Sequence, residues 1–430
     1  MKEVRNINPW LWIPTLYFAE GIPYFIVNNI SVVMFTNMGM SKGDMAMFTS
    51  LLYLPWVIKP LWSPFVDIIR TKRWWIVAMQ VLMSFAFALV ALTLPRTVPE
   101  GCPVSIFTVT LILFWISAFA SATHDIAADG FYMLALRPKE QSLFVGIRST
   151  FYRLSSIFGQ GVLVVIAGML EKRYNDVPKA WMYTLGICAL IFACITLWHT
   201  FRLPKPEADK ARPSMDVNDI FRDFGRTFVT FFKKKGIAIA LIFMLLYRLP
   251  EAFLVKMMNP FLLDGLKDGG LGLSTEMVGL VYGTIGVAAL TVGGIVGGIA
   301  ASKWGLKKCL WPMALSLTLP CLAFVFLSMT RTQNIWVISS CVALDQFGYG
   351  FGFTAYMLYL IYFSEGEFKT AHYSLCTAFM ALSMMIPGML AGYIFEHLGY
   401  FRFFLMVIVC CFVTVGVTAL VKVDDDFGKK

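Results

Sequence analysis

The chain has 430 residues, 58% of them hydrophobic and 14% charged, with a mean hydropathy of +0.71. That balance excludes an ordinary soluble domain, which needs far more polar surface. The formal net charge of +10 would suit a nucleic-acid surface, but the lysines and arginines sit mainly between apolar stretches, so no nucleic-acid partner is expected.

In chain order, apolar segments near 10–36, 44–66, 74–94, 104–136, 144–170, 181–201, 236–262, 275–302, 309–329, 335–363, 371–396 and 402–421 predict twelve transmembrane helices in an all-α membrane protein. Residues 74–94, 277–301, 373–395 and 403–421 carry no Asp, Glu, Lys or Arg, and each is near the roughly 20 residues that a span needs. Barrel strands would alternate polar and apolar over shorter segments. With both termini cytoplasmic, the loops on that side hold most of the Lys and Arg, the expected orientation for a multi-pass protein of a bacterial inner membrane. The first span lacks a small-residue cleavage site, so no removable signal peptide is expected.

The first span carries Tyr17, Glu20 and Tyr24 around Gly21 and Pro23, and the second carries Lys59 between Pro55 and Pro60. Proline frees a carbonyl one turn back, which lipid tolerates mainly beside a cavity or another helix. The first, second and seventh helices are therefore expected to line the path. After the second span come Asp67 and Arg70, either an inward gate or a plain interfacial pair. The fourth span holds Asp125 and Asp129, four apart on one face. Carboxylates this close disfavour joint ionisation, so one of them is suited to carry a proton. His124 adjoins them but points elsewhere. The fifth span offers Arg148 with Tyr152, and the expectation is that Arg148 faces Asp125 or the cavity, as a proton-controlled substrate contact or as a static ion pair. Arg153 lies about 140° round from Arg148 and is expected to meet something else.

Residues 202–235 form the longest polar stretch, in which Val217, Ile220, Phe221, Phe224, Phe228 and Phe231 recur at helical spacing. An amphipathic helix on the cytoplasmic surface is predicted there. The seventh span contains Arg248, Pro250, Glu251 and Lys256. Arg248 and Glu251, three apart, are spaced to pair on one helix. In the tenth, Asp345, Tyr349, Gly352, Tyr356 and Tyr359 share a stripe suited to sugar rings or to aromatic packing. Ionisable groups at this depth need a partner or a role. Asp125, Asp129, Glu20 and Asp345 are thus the proton-coupling candidates. Arg148, Lys59, Tyr17, Tyr24, Tyr152, Arg248, Glu251, Tyr349 and Tyr356 are the substrate-binding candidates.

The two ends of the chain repeat weakly. Tyr17 and Glu20 correspond to Tyr247 and Glu251, the 63–67 loop to 298–302, Asp125 to Asp345, and Ser149-Thr150-Phe151 to Thr377-Ala378-Phe379. This divides the chain into a six-helix half at 1–201, a linker at 202–235 and a second half at 236–430. Two pseudo-symmetric six-helix halves with a basic loop after spans two and eight resemble the major facilitator superfamily. Within it, Leu54-Pro55, Lys59-Pro60-Leu61-Trp62-Ser63-Pro64, Asp125-Ile-Ala-Ala-Asp129, Gly146-Ile-Arg148, Lys303-Trp304-Gly305-Leu306 and Gly348-Tyr-Gly350 resemble the muropeptide permeases of the AmpG type. The resemblance implies a secondary transporter for proton-coupled import of anhydromuropeptides, with another oligosaccharide or anionic sugar conjugate as the alternative. It departs at Gly130-Phe131-Tyr132, where the family often has an arginine, and in the extra C-terminal helices that many members carry. The nine cysteines are scattered, and the four histidines and the acidic run Asp424-Asp425-Asp426 form no metal- or phosphate-binding pattern. Neither a membrane enzyme nor a cofactor or metal is expected, and the chain is expected to act as a monomer.

Overall fold

The computed structural model describes residues 8–97, 103–136, 138–207, 209–210, 217–366, 368–424 and 427, and within them the chain is helical and without strands. Every predicted span is occupied by helix. The first comprises Ile13–Phe25, a wider π-turn segment at Ile26–Ile30, and Ser31–Asn37. The second breaks into Lys42–Leu51 and Leu54–Ile69. The third is Lys72–Thr93, the fourth Thr108–Ala135 and the sixth Val177–Arg202. The fifth runs through Pro138–Ser156, a π-turn segment at Ile157–Leu163, and Val164–Tyr174. The seventh is again two pieces, Ile237–Leu246 and Leu249–Leu263. The eighth spans Thr275–Trp304 and the ninth Leu306–Thr330; the tenth is Ile335–Ser364. Continuous helix over Lys369–Leu420 contains Gly399 at φ 68°, ψ 171°, a conformation for which glycine is suited. The eleventh and twelfth helices meet there.

Nine segments among the described residues are long and apolar enough to cross a membrane, with Ala371–Leu420 counted as one. The second helix falls outside them because its break leaves pieces of 10 and 16 residues. The tenth, which carries Asp345 and several glycines and tyrosines, is also not among them. Large apolar side chains such as Leu92, Phe201 and Phe412 stand exposed on the outer surface, where lipid is their solvent.

The first helix packs on the fifth and the third on the fourth and sixth; in the second half the seventh packs on the Lys369–Leu420 segment and the ninth on the tenth. The halves meet where the second helix crosses the eleventh and the fifth crosses the eighth. Both crossings are backbone to backbone. A Cβ on Gly283 would sit 1.9 Å from the Gln160 carbonyl oxygen, and one on Gly392 would sit 1.9 Å from that of Lys42.

The linker helix, Val217–Phe232, is present. Of its predicted apolar face, the side chains of Val217, Ile220, Phe221 and Phe224 lie outside the described residues. Phe231 is fully buried and stacks on Phe379 of the eleventh helix at 6.1 Å. Its end is thus docked on protein instead of resting on the bilayer, a correction to the purely surface-lying helix expected. Upstream, Asp209 accepts from the backbone amides of Lys72 (2.7 Å) and Arg73 (3.0 Å), a carboxylate at the positive end of the third helix. Downstream, Lys234 donates to the carbonyls of Phe363 (2.5 Å) and Glu365 (2.8 Å) at the end of the tenth.

On the side opposite the linker the halves are latched. Lys42 pairs with Asp264 at 2.7 Å, and Tyr400 donates to the same carboxylate at 2.7 Å. Glu396 accepts from the Gly43 amide at 2.7 Å, while Asn37 donates to Thr275 (2.7 Å) and Glu171 (3.0 Å). Lys172 pairs with Glu276. Asp264→Asn removes the charge that anchors this set, a loss of about 1 kcal/mol or roughly fivefold in the closed population. Hydrogen–deuterium exchange should rise accordingly in residues 37–44 and 264–276. Unchanged exchange would show that the latch contributes nothing.

Candidate functional site

A cavity of about 1610 Å³ lies between the halves. Its walls include Arg70, Lys72, Asp209, Lys210, Arg226 and Phe368, all on the linker side, so the cavity opens there and ends beneath the latched side. It exceeds the roughly 300–1,000 Å³ usual for small-ligand pockets.

The first-half wall concentrates the membrane-depth charge. Lys59 reaches the cavity because the second helix breaks at Leu52–Tyr53 and restarts with Pro55 in its first turn. It pairs with Asp125. Arg148 pairs with Asp129 at 2.7 Å, lies over the rings of Tyr17 (4.4 Å) and Tyr132 (5.3 Å), and shares Asp129 with the Tyr17 hydroxyl at 3.3 Å. Of the two expected arrangements, Asp125 and Arg148 both face the cavity, and each pairs with another residue. Asp125 and Asp129 share one face, as their spacing requires, but the second helix delivers Lys59 to the first and the fifth delivers Arg148 to the second. Glu20 lies beside Asp125, is 8% exposed, and has one carboxylate oxygen without a partner among the described residues. The contacting cluster on this wall thus holds three carboxylates and two cations.

The cationic position that the resemblance expects after Asp129 is filled from another helix. The Lys72 side chain lies over Gly130, its Nζ 3.2 Å from where a Cβ would stand. His124 faces away from the cavity. It meets Gln80 at 2.9 Å, which meets His199 at 3.0 Å, which meets Thr15 at 2.9 Å, a buried polar chain inside the first half.

At the closed end aromatic rings take over. Tyr24 packs edge-on against Tyr53 (6.2 Å) and Trp56 (5.1 Å), and Phe25 against Tyr152 (5.6 Å). Tyr24 and Tyr152 were expected at the cavity. Tyr53, Trp56 and Phe25 were not, although each flanks a proline-marked break. From the second half Arg248 donates to the Tyr349 hydroxyl and lies over Phe353 at 4.7 Å.

Tyr17, Glu251, Asp345 and Tyr356 stand outside the cavity lining, while Arg248 is in it. Arg248 is the cap of the second piece of the seventh helix, at φ −101°, ψ 14°, so its spacing from Glu251 is not helical and the two form no ion pair among the described residues. Glu251 is buried near Asp345 behind the cavity wall, and each keeps a carboxylate oxygen without a partner. Gln346 donates to Asp345 at 3.1 Å. Tyr356 serves the backbone. The break before Pro250 frees carbonyls that lipid cannot solvate; Tyr356 donates to Met244 O at 2.6 Å and Thr414 to Tyr247 O at 3.0 Å. Of the gate pair, the side chain of Asp67 lies outside the described residues, and Arg70 is at the cavity mouth, 6.0 Å from the Trp74 ring. No metal-binding group of His, Cys, Asp and Glu occurs among the described residues.

The sequence profile of the Major Facilitator Superfamily matches residues 15–371. The chain is 25% identical to the anhydromuropeptide permease of Escherichia coli K12 over 400 residues, 91% of this chain and 75% of that protein. It is 25% identical to putative transporter AmpG 3 of Rickettsia typhi, over 83% of this chain and 82% of that one. Among solved structures, a D-xylose–proton symporter superposes with a TM-score of 0.71 at 12% identity, covering 98% of this chain and 99% of that chain. The nucleoside transporter NupG superposes with a TM-score of 0.70 at 15% identity, over 96% and 98%.

The ion pairs set a thermodynamic expectation. Lys59→Met alone strands Asp125 in the wall and should lower stability by about 3–5 kcal/mol. Lys59→Met with Asp125→Leu should recover most of that. Thermal unfolding of the detergent-solubilised chain compares them; equal losses in the single and the double variant would show that the two residues do not act as a unit.

Proposed function

We infer that this chain, which belongs to the Major Facilitator Superfamily, is a proton-coupled importer of anhydromuropeptides. It is a transporter and not an enzyme; cargo, coupling ion and direction are the inference. One observation carries the coupling. The contacting cluster on the first-half wall sets Glu20, Asp125 and Asp129 against Lys59 and Arg148. Arg153 of the same half reaches instead to Gly294, and Arg70 and Lys72 lie toward the mouth. Glu20 is the carboxylate left without a cation contact among the described residues. Fully ionised, this five-residue cluster holds one negative charge in excess. A proton on Glu20 balances it and gives the unpartnered oxygen a hydrogen to donate to Asp125. A balanced wall no longer repels an anionic solute, so the proton enters first and the solute follows. Asp125 and Asp129, each held by a cation, tune this event by their charge.

Cargo follows from shape and chemistry. The space suits a solute larger than a monosaccharide, and the rings of Tyr24, Phe25, Tyr53, Trp56 and Tyr152 suit the apolar faces of sugars. Curated relatives bear muropeptide permease names, which favours a disaccharide carrying an acidic peptide. The aromatic end alone would equally serve an oligosaccharide conjugate without a peptide, the second reading. In a bacterial inner membrane with the linker side cytoplasmic, the cavity faces inward, ready to release cargo.

Labelled anhydromuropeptide should accumulate in vesicles of this chain under an imposed pH gradient, and labelled oligosaccharide should not. Glu20→Gln should abolish accumulation while leaving counterflow exchange within about twofold. No gradient-dependent uptake by correctly folded protein would sink the muropeptide reading. Accumulation that survives in Glu20→Gln would move the proton to another acid.

A further inference from the structure

The charges on the two walls of the cavity are not treated alike. On the first-half wall Lys59 and Arg148 each touch a carboxylate. The guanidiniums of Arg153 and Arg248 also line the cavity, and neither has a carboxylate partner among the described residues. Arg248 is 5% exposed, its Nε is buried without any partner, and its one hydrogen bond goes to the neutral Tyr349 hydroxyl. Arg153, projecting from the fifth helix, crosses to the second half. Its Nη2 lies 3.0 Å from where a Cβ on Gly294 would stand, so the bare backbone there lets it approach closely. The same stretch of the eighth helix touches the tenth at Gly350, where a Cβ would sit 2.9 Å from the Gly294 nitrogen, next to Tyr349. Tyr349 is also the group that acts electrostatically on Arg153. The two cations therefore converge on one patch of wall, where the eighth and tenth helices meet around Tyr349.

A buried guanidinium without an anion is costly unless an anion arrives, and its fork of donors matches a carboxylate. We propose that Arg153 and Arg248, one from each half, form a carboxylate-binding site on the Tyr349 wall that seats an acidic group of the cargo. This rests on the reading of the cargo as an acidic sugar conjugate, and adds where its charge is held and by which residues. The two guanidiniums belong to different six-helix halves, so a carboxylate held by both bridges the halves across the cavity. Solute lacking the acid would occupy the aromatic end without that tie.

The wild-type chain in lipid nanodiscs tests this without relying on any variant's folding. Phenylglyoxal modifies arginine, and mass spectrometry of the labelled chain reads the rate at Arg153 and Arg248 separately. Four conditions are compared at matched ionic strength: chloride, citrate, anhydromuropeptide bearing a tripeptide with free carboxylates, and the same molecule with its carboxylates amidated. The free-acid muropeptide should slow modification of both arginines at least fivefold relative to chloride, citrate should slow it measurably, and the amidated form should leave it within twofold. Equal protection by the acid and amidated forms, or protection by neither acid nor citrate, overturns the site. Protection by citrate without any effect of the muropeptide keeps the site and removes the cargo reading. Arg153→Gln should raise the half-saturating concentration of the acidic muropeptide at least tenfold, and Arg153→Lys by less. An unchanged value for Arg153→Gln would exclude Arg153 from the site.

Discussion

Charge compensation at the fourth helix is the constraint around which the rest is arranged. Asp125 and Asp129 stand one turn apart at membrane depth, where an uncompensated charge is expensive. Each is met by a cation from a different helix, Lys59 from the second and Arg148 from the fifth. Those helices are also the ones that cross into the other half, the second onto the eleventh and the fifth onto the eighth. The helices that supply the cations of the first half are thus also the ones that form both seams between halves.

The two sides of the molecule are held by different chemistry. Opposite the linker, the closure combines glycine crossings, where backbone meets backbone, with a polar rim around Asp264, Glu396 and Glu171. Glycine contacts are all-or-none on separation, since there is no side chain to stretch across a gap. The polar rim is exchangeable with water. Separation on that side would therefore trade protein hydrogen bonds for solvent ones, at a net cost of about 0.5–1.5 kcal/mol each.

Much of this was legible in the sequence, for identifiable reasons. Hydropathy marks twelve spans because lipid leaves no choice for the backbone, and prolines 23, 55 and 250 mark breaks or distortions. What one helix face presents was also legible, as with Asp125 and Asp129. Which neighbour meets that face was not: the reading left Arg148 to Asp125 or the cavity, and it faces the cavity while pairing with Asp129. The Arg248–Glu251 spacing misled because it assumes continuous helix across a break. Tyr356 misled because a tyrosine that satisfies a freed carbonyl and one that faces a solute have the same periodicity. Arg153 was expected to meet something other than Arg148's partners, but what it meets, the bare backbone at Gly294, is far off in sequence.

The linker's attachments have a consequence of their own. Asp209 caps the third helix, Phe231 is buried against the eleventh, and Lys234 caps the tenth. A segment fastened to one half at its start and to the other at its end is a harness across the mouth, and its slack bounds how widely that mouth can gape. Its fastenings are also the satisfaction of helix ends that would otherwise lack partners. Shortening, cutting or transplanting the harness therefore alters the travel of the rocking halves and frays the third and tenth helices together, so motion and local stability are set by the same few residues.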